Sequence, residues 1–341
     1  MSEIRVDLLH NKQTIIAPER LHRPDSYQHS SLAKATKETC PFCEGNESMT
    51  PSEIFAIRDN QPNSTKWKTR VVPNLYKAVQ VELKNTSKRD GMFESFRGVG
   101  AHEVLIDSPN HDKDIVKLET DYISLWLNTM IKRVEDLRQD IRLIHLGIFK
   151  NYGRNSGATL EHPHTQLLAL PLMPKSKLEF LKQNFNYHKK HGRSLLQDIV
   201  ENEKNFKQRV IAENSDFLAY CPFASSFPFE VIIAPLTNIS SLENCTQKEV
   251  ENLSETIKKT FIKLYRQLGE FDYNLYFELP PINKNFENEA YFSTIKENFR
   301  FYIRIIPRIY RLGGFELSTD MEINPISPEK CSTLLNQKES I

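Results

Sequence analysis

The chain has 341 residues, with 45 Lys+Arg against 44 Asp+Glu, and a formal charge of +1 carries no electrostatic footprint for nucleic acid or an anionic membrane. Hydrophobic residues make up 39%, which excludes a disordered chain, and the longest apolar runs, such as 167–173, fall far short of the roughly 20 residues of a membrane span. Five cysteines are too few, and odd in number, for a disulfide framework, and the first ten residues are too polar for a signal peptide, so a soluble cytoplasmic protein of about two domains is expected.

Neither G-x-G-x-x-G nor G-x-x-x-x-G-K-[ST] occurs, so a nucleotide, if bound, is held without a glycine cradle. Near the start, Glu19-Arg20-Leu21-His22-Arg23 offers two guanidiniums suited to phosphate oxygens. Cys40-Pro41-Phe42-Cys43 reads as a zinc half-site, a redox pair or a motif without function; no second C-x-x-C exists to complete a four-cysteine site. Residues 70–74 read as a short apolar strand, and 103–109 as a buried strand stopped by Pro109, with His111 just beyond. Ile123, Leu127, Met130, Val134, Leu137 and Ile141 advance by fours and threes, the stripe of one amphipathic helix. Two strand-like runs follow, 143–149 and 166–170, separated by the Gly/Asn-rich turn 151–157.

The second half repeats this order. Residues 209–213 match 70–74, 230–235 match 103–109, Val250 to Leu268 form a second helical stripe behind a Thr246/Glu249 capping box, and 273–278 and 301–306 supply two more strands. The charged segment 175–207 connects the halves. The fold class is therefore α+β, with two tandem domains, 1–174 and 175–341, each a mainly antiparallel sheet with one long helix.

Glu161-His162-Pro163-His164-Thr165-Gln166 leads into the second strand of the first half. In an extended chain residues i and i+2 share a face, so His162, His164 and Gln166 line one side, in a segment poorly suited to a core. If Cys40 and Cys43 do hold a metal, two histidines must complete it; His111 and His162 are the natural candidates, giving a closed and hence structural zinc site that leaves His164 free. The second half has Ser194 to Gln197 in place of the C-x-x-C, Asn238 near the place of His111, and Arg300-Phe301-Tyr302 opposite His164-Thr165-Gln166. Metal-type ligands and nucleophile are lost together, as expected if they form one site. A neutral imidazole attacks phosphorus near pH 7 and passes the group on, and Gln166, Thr159, Asn151, Arg20 and Arg23 are the donors available for phosphate oxygens.

Cys40-x-x-Cys43, 70–76, 103–111, Asn151-Tyr152-Gly153 and His162-Pro163-His164-Thr165-Gln166 resemble the galactose-1-phosphate uridylyltransferase family, the transferase branch of the histidine-triad superfamily. Phe227-Pro228-Phe229-Glu230 and Gly313-Gly314-Phe315-Glu316 extend the likeness through nearly the whole chain. The resemblance implies two histidine-triad-like domains, a ping-pong mechanism and a homodimer. It implies zinc on Cys40, Cys43, His111 and His162, and His164 as nucleophile. Gln166, Thr159, Asn151, Arg20 and Arg23 then face phosphates, Asn74 the ribose and Glu316 the sugar. Some relatives carry a second metal on a His-x-His where Arg300 and Tyr302 stand here, so no second metal is expected; Leu75 replaces an Asp that some relatives place near the ribose. The 313–316 and 323–328 stretches lie at least as near the ADP-sugar phosphorylase relatives.

Three functions follow. The first is nucleotidyl transfer between a nucleotide sugar and a hexose 1-phosphate through a nucleotidyl-histidine. The second keeps that intermediate but uses inorganic phosphate as acceptor. The third is a non-catalytic, zinc-stabilised nucleotide-binding protein. Hydrolysis is disfavoured because Gln166, an amide, stands where histidine-triad hydrolases carry a proton-shuttling histidine.

Overall fold

The stripe Ile123, Leu127, Met130, Val134 and Leu137 folds as the helix Thr120–Leu137 in the computed structural model of the chain, which describes residues 2–22, 36–283 and 290–337. Arg23 lies outside the described residues. The helix stops short of Ile141, which is 68% exposed, because Asp140 turns the chain: its carboxylate accepts the Arg142 N–H and guanidinium. The second stripe forms Gln247–Leu268, and its start is the expected capping box, with Thr246 Oγ1 accepting from Glu249 N–H and Glu249 accepting from Thr246 N–H.

Ten strands form one sheet, in the spatial order Phe55–Arg58, Trp67–Pro73, Ala101–Ile106, His164–Leu170, His145–Tyr152, Tyr273–Glu278, Tyr302–Pro307, Val231–Pro235, Phe217–Tyr220 and Val210–Glu213. All neighbours are antiparallel. Read from either edge inward, each half contributes five strands in the same chain order, so the halves are related by a pseudo-twofold between His145–Tyr152 and Tyr273–Glu278. The mixed α+β architecture with a repeated unit is as the sequence pattern implied. One correspondence differs. Residues 209–213 contribute an edge strand, and the strand that takes the place of Trp67–Pro73 is Phe217–Tyr220. Short apolar runs of similar composition do not reveal which of two neighbours in a sheet they become.

Helices Thr120–Leu137 and Gln247–Leu268 lie side by side on one face of the sheet, close enough for Ser124 and Ser254 to share a hydrogen bond of 2.8 Å. Leu105, Leu127, Leu167, Ile233, Leu253, Leu275 and Ile303 belong to the single core between them and the sheet. Burying each such side chain stabilises the fold by about 1.5–3 kcal/mol.

The opposite face differs between halves, and this difference positions the site. In the second half it carries Leu218, Tyr220, Ile232, Ala234 and Tyr302, covered by the helices Lys175–His191 and Leu195–Phe206. In the first half the same face carries His164, Gln166 and Asn151, which no apolar helix face can cover without stranding their polar groups. A separate three-stranded sheet, Glu3–Asp7, Lys12–Ile16 and Glu322–Asn324, ties the two ends of the chain together.

Candidate active site

Cys40, Cys43, His111 and His162 are all buried, and one ligand atom from each falls within 4.8 Å of the others. Cys43 Sγ lies 3.2 Å from His111 Nδ1 and 3.6 Å from His162 Nδ1, and Cys40 Sγ lies 3.6 Å from His162 Nδ1. A tetrahedron with Zn–S of about 2.3 Å and Zn–N of about 2.0 Å has S···N edges of about 3.5 Å, so the spacing fits a divalent cation. The ligand atoms are also chemically prepared. His162 Nε2–H donates to Ser108 C=O at 2.8 Å, which leaves Nδ1 with its lone pair toward the sulfurs. Burial holds the His162 pKa down to about 4, keeping the ring neutral. Burial and the neighbouring Cys40 push the Cys43 thiol up to about 12, so the thiolate form needs a cation beside it. These four residues would hold a metal, which would tie the loop bearing 40–43 to the strand that begins at His164.

His164 opens the strand His164–Leu170, two residues after His162, and the ring of Phe42 packs against both imidazoles, with centroids at 6.1 and 5.3 Å. Its Nδ1–H donates to His162 C=O at 2.8 Å. The neutral ring therefore carries its lone pair on Nε2, which has no protein partner among the described residues. Burial lowers the His164 pKa and so favours that neutral form.

The strand register brings the neighbours in. His145–Tyr152 pairs with His164–Leu170 so that Lys150 faces Thr165 and the next residue, Asn151, comes opposite His164. Lys150 and Thr165 point to the other side of the sheet, into a fully buried network. Lys150 Nζ donates to Asp107 at 2.8 Å and lies 3.3 Å from Asp114, while Thr165 and Trp126 also donate to Asp107. This network clamps three strands directly beneath His164.

The candidate catalytic and substrate-contacting residues divide into two groups. His164, Gln166 and Asn151 share one face of the sheet, and Asn74 reaches it through His102, which touches both Asn74 and Gln166. Thr159 is exposed in the loop between Asn151 and His164. Arg20 and Glu316 lie beside the small three-stranded sheet. Arg20 sits in the 3-10 turn Pro18–His22, just after the small sheet's strand Lys12–Ile16. Glu316, in helix Gly314–Thr319 beside that sheet, is buried and accepts the Gly313 N–H at 2.9 Å. No hydrogen bond or ion pair among the described residues joins either one to His164, Gln166 or Asn151.

In the second half the degenerate counterpart also comes together. Arg300 stands two residues before its strand, as His162 does. It donates from Nε to Thr237 C=O at 2.9 Å, from Nη2 to Gln197 Oε1 at 3.1 Å, and from Nη1 to Ser194 Oγ. A guanidinium thus ties the same three segments that the cysteine and histidine cluster joins in the first half. The alignment of the repeat shifts accordingly: Arg300 corresponds to His162, and Tyr302 to His164.

Sequence reasoning missed His102 and Asn274. Period-two alternation through Ala101–Ile106 places His102 with Val104 and Ile106 on the site face, which was a readable signal. Asn274 gave none, because its place depends on the pairing of two strands more than 120 residues apart.

Residues 1–174 match the family model described as galactose-1-phosphate uridyl transferase, N-terminal domain, and residues 179–298 match the model of its C-terminal domain. The chain is 30% identical over 339 residues to an ADP-glucose phosphorylase of Arabidopsis thaliana, covering 98% of this chain and 92% of the relative. It is 25% identical over 342 residues to a galactose-1-phosphate uridylyltransferase of Thermotoga maritima, covering 99% of each. The crystal structure of an Arabidopsis thaliana ADP-glucose phosphorylase with bound ADP-glucose superposes with a TM-score of 0.83 at 28% identity, over 99% of this chain and 100% of that one.

Proposed function

The chain belongs to the galactose-1-phosphate uridylyltransferase family, and from that membership we propose that it moves a nucleoside monophosphate from a nucleotide sugar to a hexose 1-phosphate through a covalent adduct on His164. The observation that carries this reading is the His164 ring: Nδ1–H is committed to His162 C=O, and Nε2 has no protein partner among the described residues. In the first half-reaction the Nε2 lone pair attacks the α-phosphorus. The P–N bond forms as the bond from that phosphorus to the bridging oxygen breaks, and hexose 1-phosphate leaves with the electron pair. The Nδ1 proton stays on the ring, so the positive charge of the phosphorylated imidazole is shared with the His162 carbonyl. In the second half-reaction a phosphate oxygen of the acceptor attacks phosphorus, and the P–N electrons return to Nε2. No net proton moves.

Gln166, Asn151 and Thr159 are proposed as donors to the phosphate oxygens, and Asn74 as a ribose contact. Arg20, Arg23 and Glu316 keep proposed substrate roles only through contacts with the bound substrate or with a second subunit. Zinc on Cys40, Cys43, His111 and His162 is proposed as structural. The division into units 1–174 and 175–341 belongs to the same proposal and is supported by the pseudo-twofold order of the strands.

A second reading has a specific observation in its favour: the phosphorylase relative, at 30% identity over 98% of this chain. In that reading inorganic phosphate takes the adduct. Enzyme preloaded with UDP-glucose or ADP-glucose, then given galactose 1-phosphate or inorganic phosphate, separates the two. Transfer to the hexose phosphate at ten or more times the rate with phosphate supports the first reading; the reverse ratio transfers the assignment to the second. Binding of nucleotide with no turnover of either acceptor returns the protein to the non-catalytic class.

We also propose a homodimer. The hairpin Ser87–Asp90 and Phe93–Phe96 forms a two-stranded sheet of its own, with Met92 87% and Phe93 73% exposed. Two strands without a packed face are marginal in water, and such an apolar tip is suited to burial against a second copy of the chain. Light scattering should give twice the chain mass, and Met92→Ser/Phe93→Ser should shift the protein toward monomer; a monomeric wild type sinks the proposal.

A further inference from the structure

Gln166 and Asn151 each present a side-chain amide beside His164, and an amide serves phosphate only if its nitrogen end faces the substrate. The two ends are nearly isosteric, so rotation by half a turn replaces two donors with a repelling oxygen. Something in the protein must therefore decide the orientation.

For Gln166 the decision begins at a backbone N–H. Ala78 N–H can only donate, and it lies 3.1 Å from His102 Nδ1, which must accept. The neutral ring then has its proton on Nε2, 3.0 Å from Gln166 Oε1. Asn74 Nδ2 lies 3.1 Å from the same ring nitrogen, but it is itself a donor, and Asn74 Oδ1 is taken by Tyr76 N–H at 2.8 Å. Gln166 Oε1 is the acceptor, and the Gln166 nitrogen points away from His102. The strands place the two residues as diagonal neighbours, since Val104 faces Gln166 and His102 faces Leu168.

For Asn151 the decision begins at a backbone carbonyl. Ser156 C=O can only accept, and Asn274 Nδ2 donates to it at 2.9 Å. The second proton on that nitrogen goes to Asn151 Oδ1 at 2.7 Å, directly across the strand pair. The oxygen of Asn151 is thereby occupied and its nitrogen left over. Neither Gln166 Nε2 nor Asn151 Nδ2 has a protein acceptor among the described residues, so both are spare donors on the face that carries His164.

We propose that His102 and Asn274 are positioning residues: each occupies the carbonyl oxygen of a phosphate-binding amide, through a hydrogen-bond relay anchored on the backbone, and so holds the amide nitrogens of Gln166 and Asn151 toward the phosphate oxygens at His164. Asn274 comes from the second half of the chain, which gives that half a part in orienting the site through a residue that need not touch substrate. The inference rests on the nucleotidyl-transfer reading above and deepens it.

The test is a pair of mutant cycles read as the single-turnover rate of adduct formation with the nucleotide sugar that loads wild-type enzyme, followed by intact mass. His102→Phe keeps the ring and loses the relay; it should slow loading about 10–100-fold, and Gln166→Ala about 100-fold. The double variant His102→Phe/Gln166→Ala should be no slower than Gln166→Ala alone, because an orienting residue has nothing left to orient. Asn274→Leu should behave in the same way against Asn151→Ala. His102→Gln, able both to accept from Ala78 N–H and to donate to Gln166, should recover most of the lost rate, which a merely space-filling role would not produce. Losses that multiply in the double variants overturn the proposal, as does His102→Gln no faster than His102→Phe at an equal melting temperature. Wild type that forms no adduct with UDP-glucose or ADP-glucose overturns the underlying reading instead, and the two failures are distinct.

Discussion

Substitution of His164 by Ala should abolish the covalent nucleotidyl adduct and lower transfer by roughly 10⁴-fold or more, the scale on which loss of a nucleophile is felt when binding and charge stabilisation are left intact. Intact-protein mass spectrometry after mixing with UDP-glucose or ADP-glucose, without acceptor, reads the result directly. Wild type should gain one uridylyl or adenylyl group and the variant none. The fold should survive, because the strand pairing of His164 is a backbone matter, its side chain makes a single hydrogen bond among the described residues, to a backbone carbonyl, and the Lys150–Asp107 network lies on the other side of the sheet. Metal content should also be unchanged, since His164 contributes no ligand to the cluster. An adduct on the variant would place the nucleophile elsewhere and remove the central claim.

Removal of the metal should have the next largest effect, and on two quantities together. Purified protein should carry one divalent ion per chain, and Cys43→Ser or strong chelation should lower the melting temperature by on the order of 10 °C. Two buried cysteines and two buried histidines are left without their shared partner, and the loop 40–43 loses its tie to the sheet. Transfer should fall as well, because the same His162 that offers Nδ1 to the cluster offers its carbonyl to His164 Nδ1. A loosened His162 leaves the nucleophile free to rotate or to change tautomer. Elemental analysis, calorimetry and the adduct assay check these outcomes; metal-free protein with an unchanged melting temperature and full activity would contradict them.

Much of the site was legible because its signals are local. Cys40 and Cys43 are three residues apart, and the alternation His162, His164, Gln166 follows from the two-residue period of an extended chain. The two helical stripes were equally local, and the capping box marked the start of the second. The end of the first helix was not, because Asp140 closes a turn with Arg142 through side-chain bonds that no apolar period reports. Arg20 read as a phosphate donor from its guanidinium and Glu316 as a sugar contact from likeness alone, and within the chain both stand beside the small sheet.

By itself the sequence determined the α+β class and the duplicated unit, and it singled out Cys40, Cys43, His111 and His162 as one candidate group with His164 outside it, since each is written in spacings of a few residues or in the recurrence of one pattern. The tertiary structure alone decided that helices cover this face of the sheet in the second half and not at His164, Gln166 and Asn151, that a guanidinium takes the place of the cysteine and histidine cluster in the second half, and which end of each amide is left over beside His164. Those outcomes hang on strand registers and hydrogen bonds between residues far apart in the chain, such as His102 with Gln166, 64 positions apart, and Asn274 with Asn151, 123 positions apart. No local periodicity carries information over that distance, because which groups meet is settled only when the strands pair.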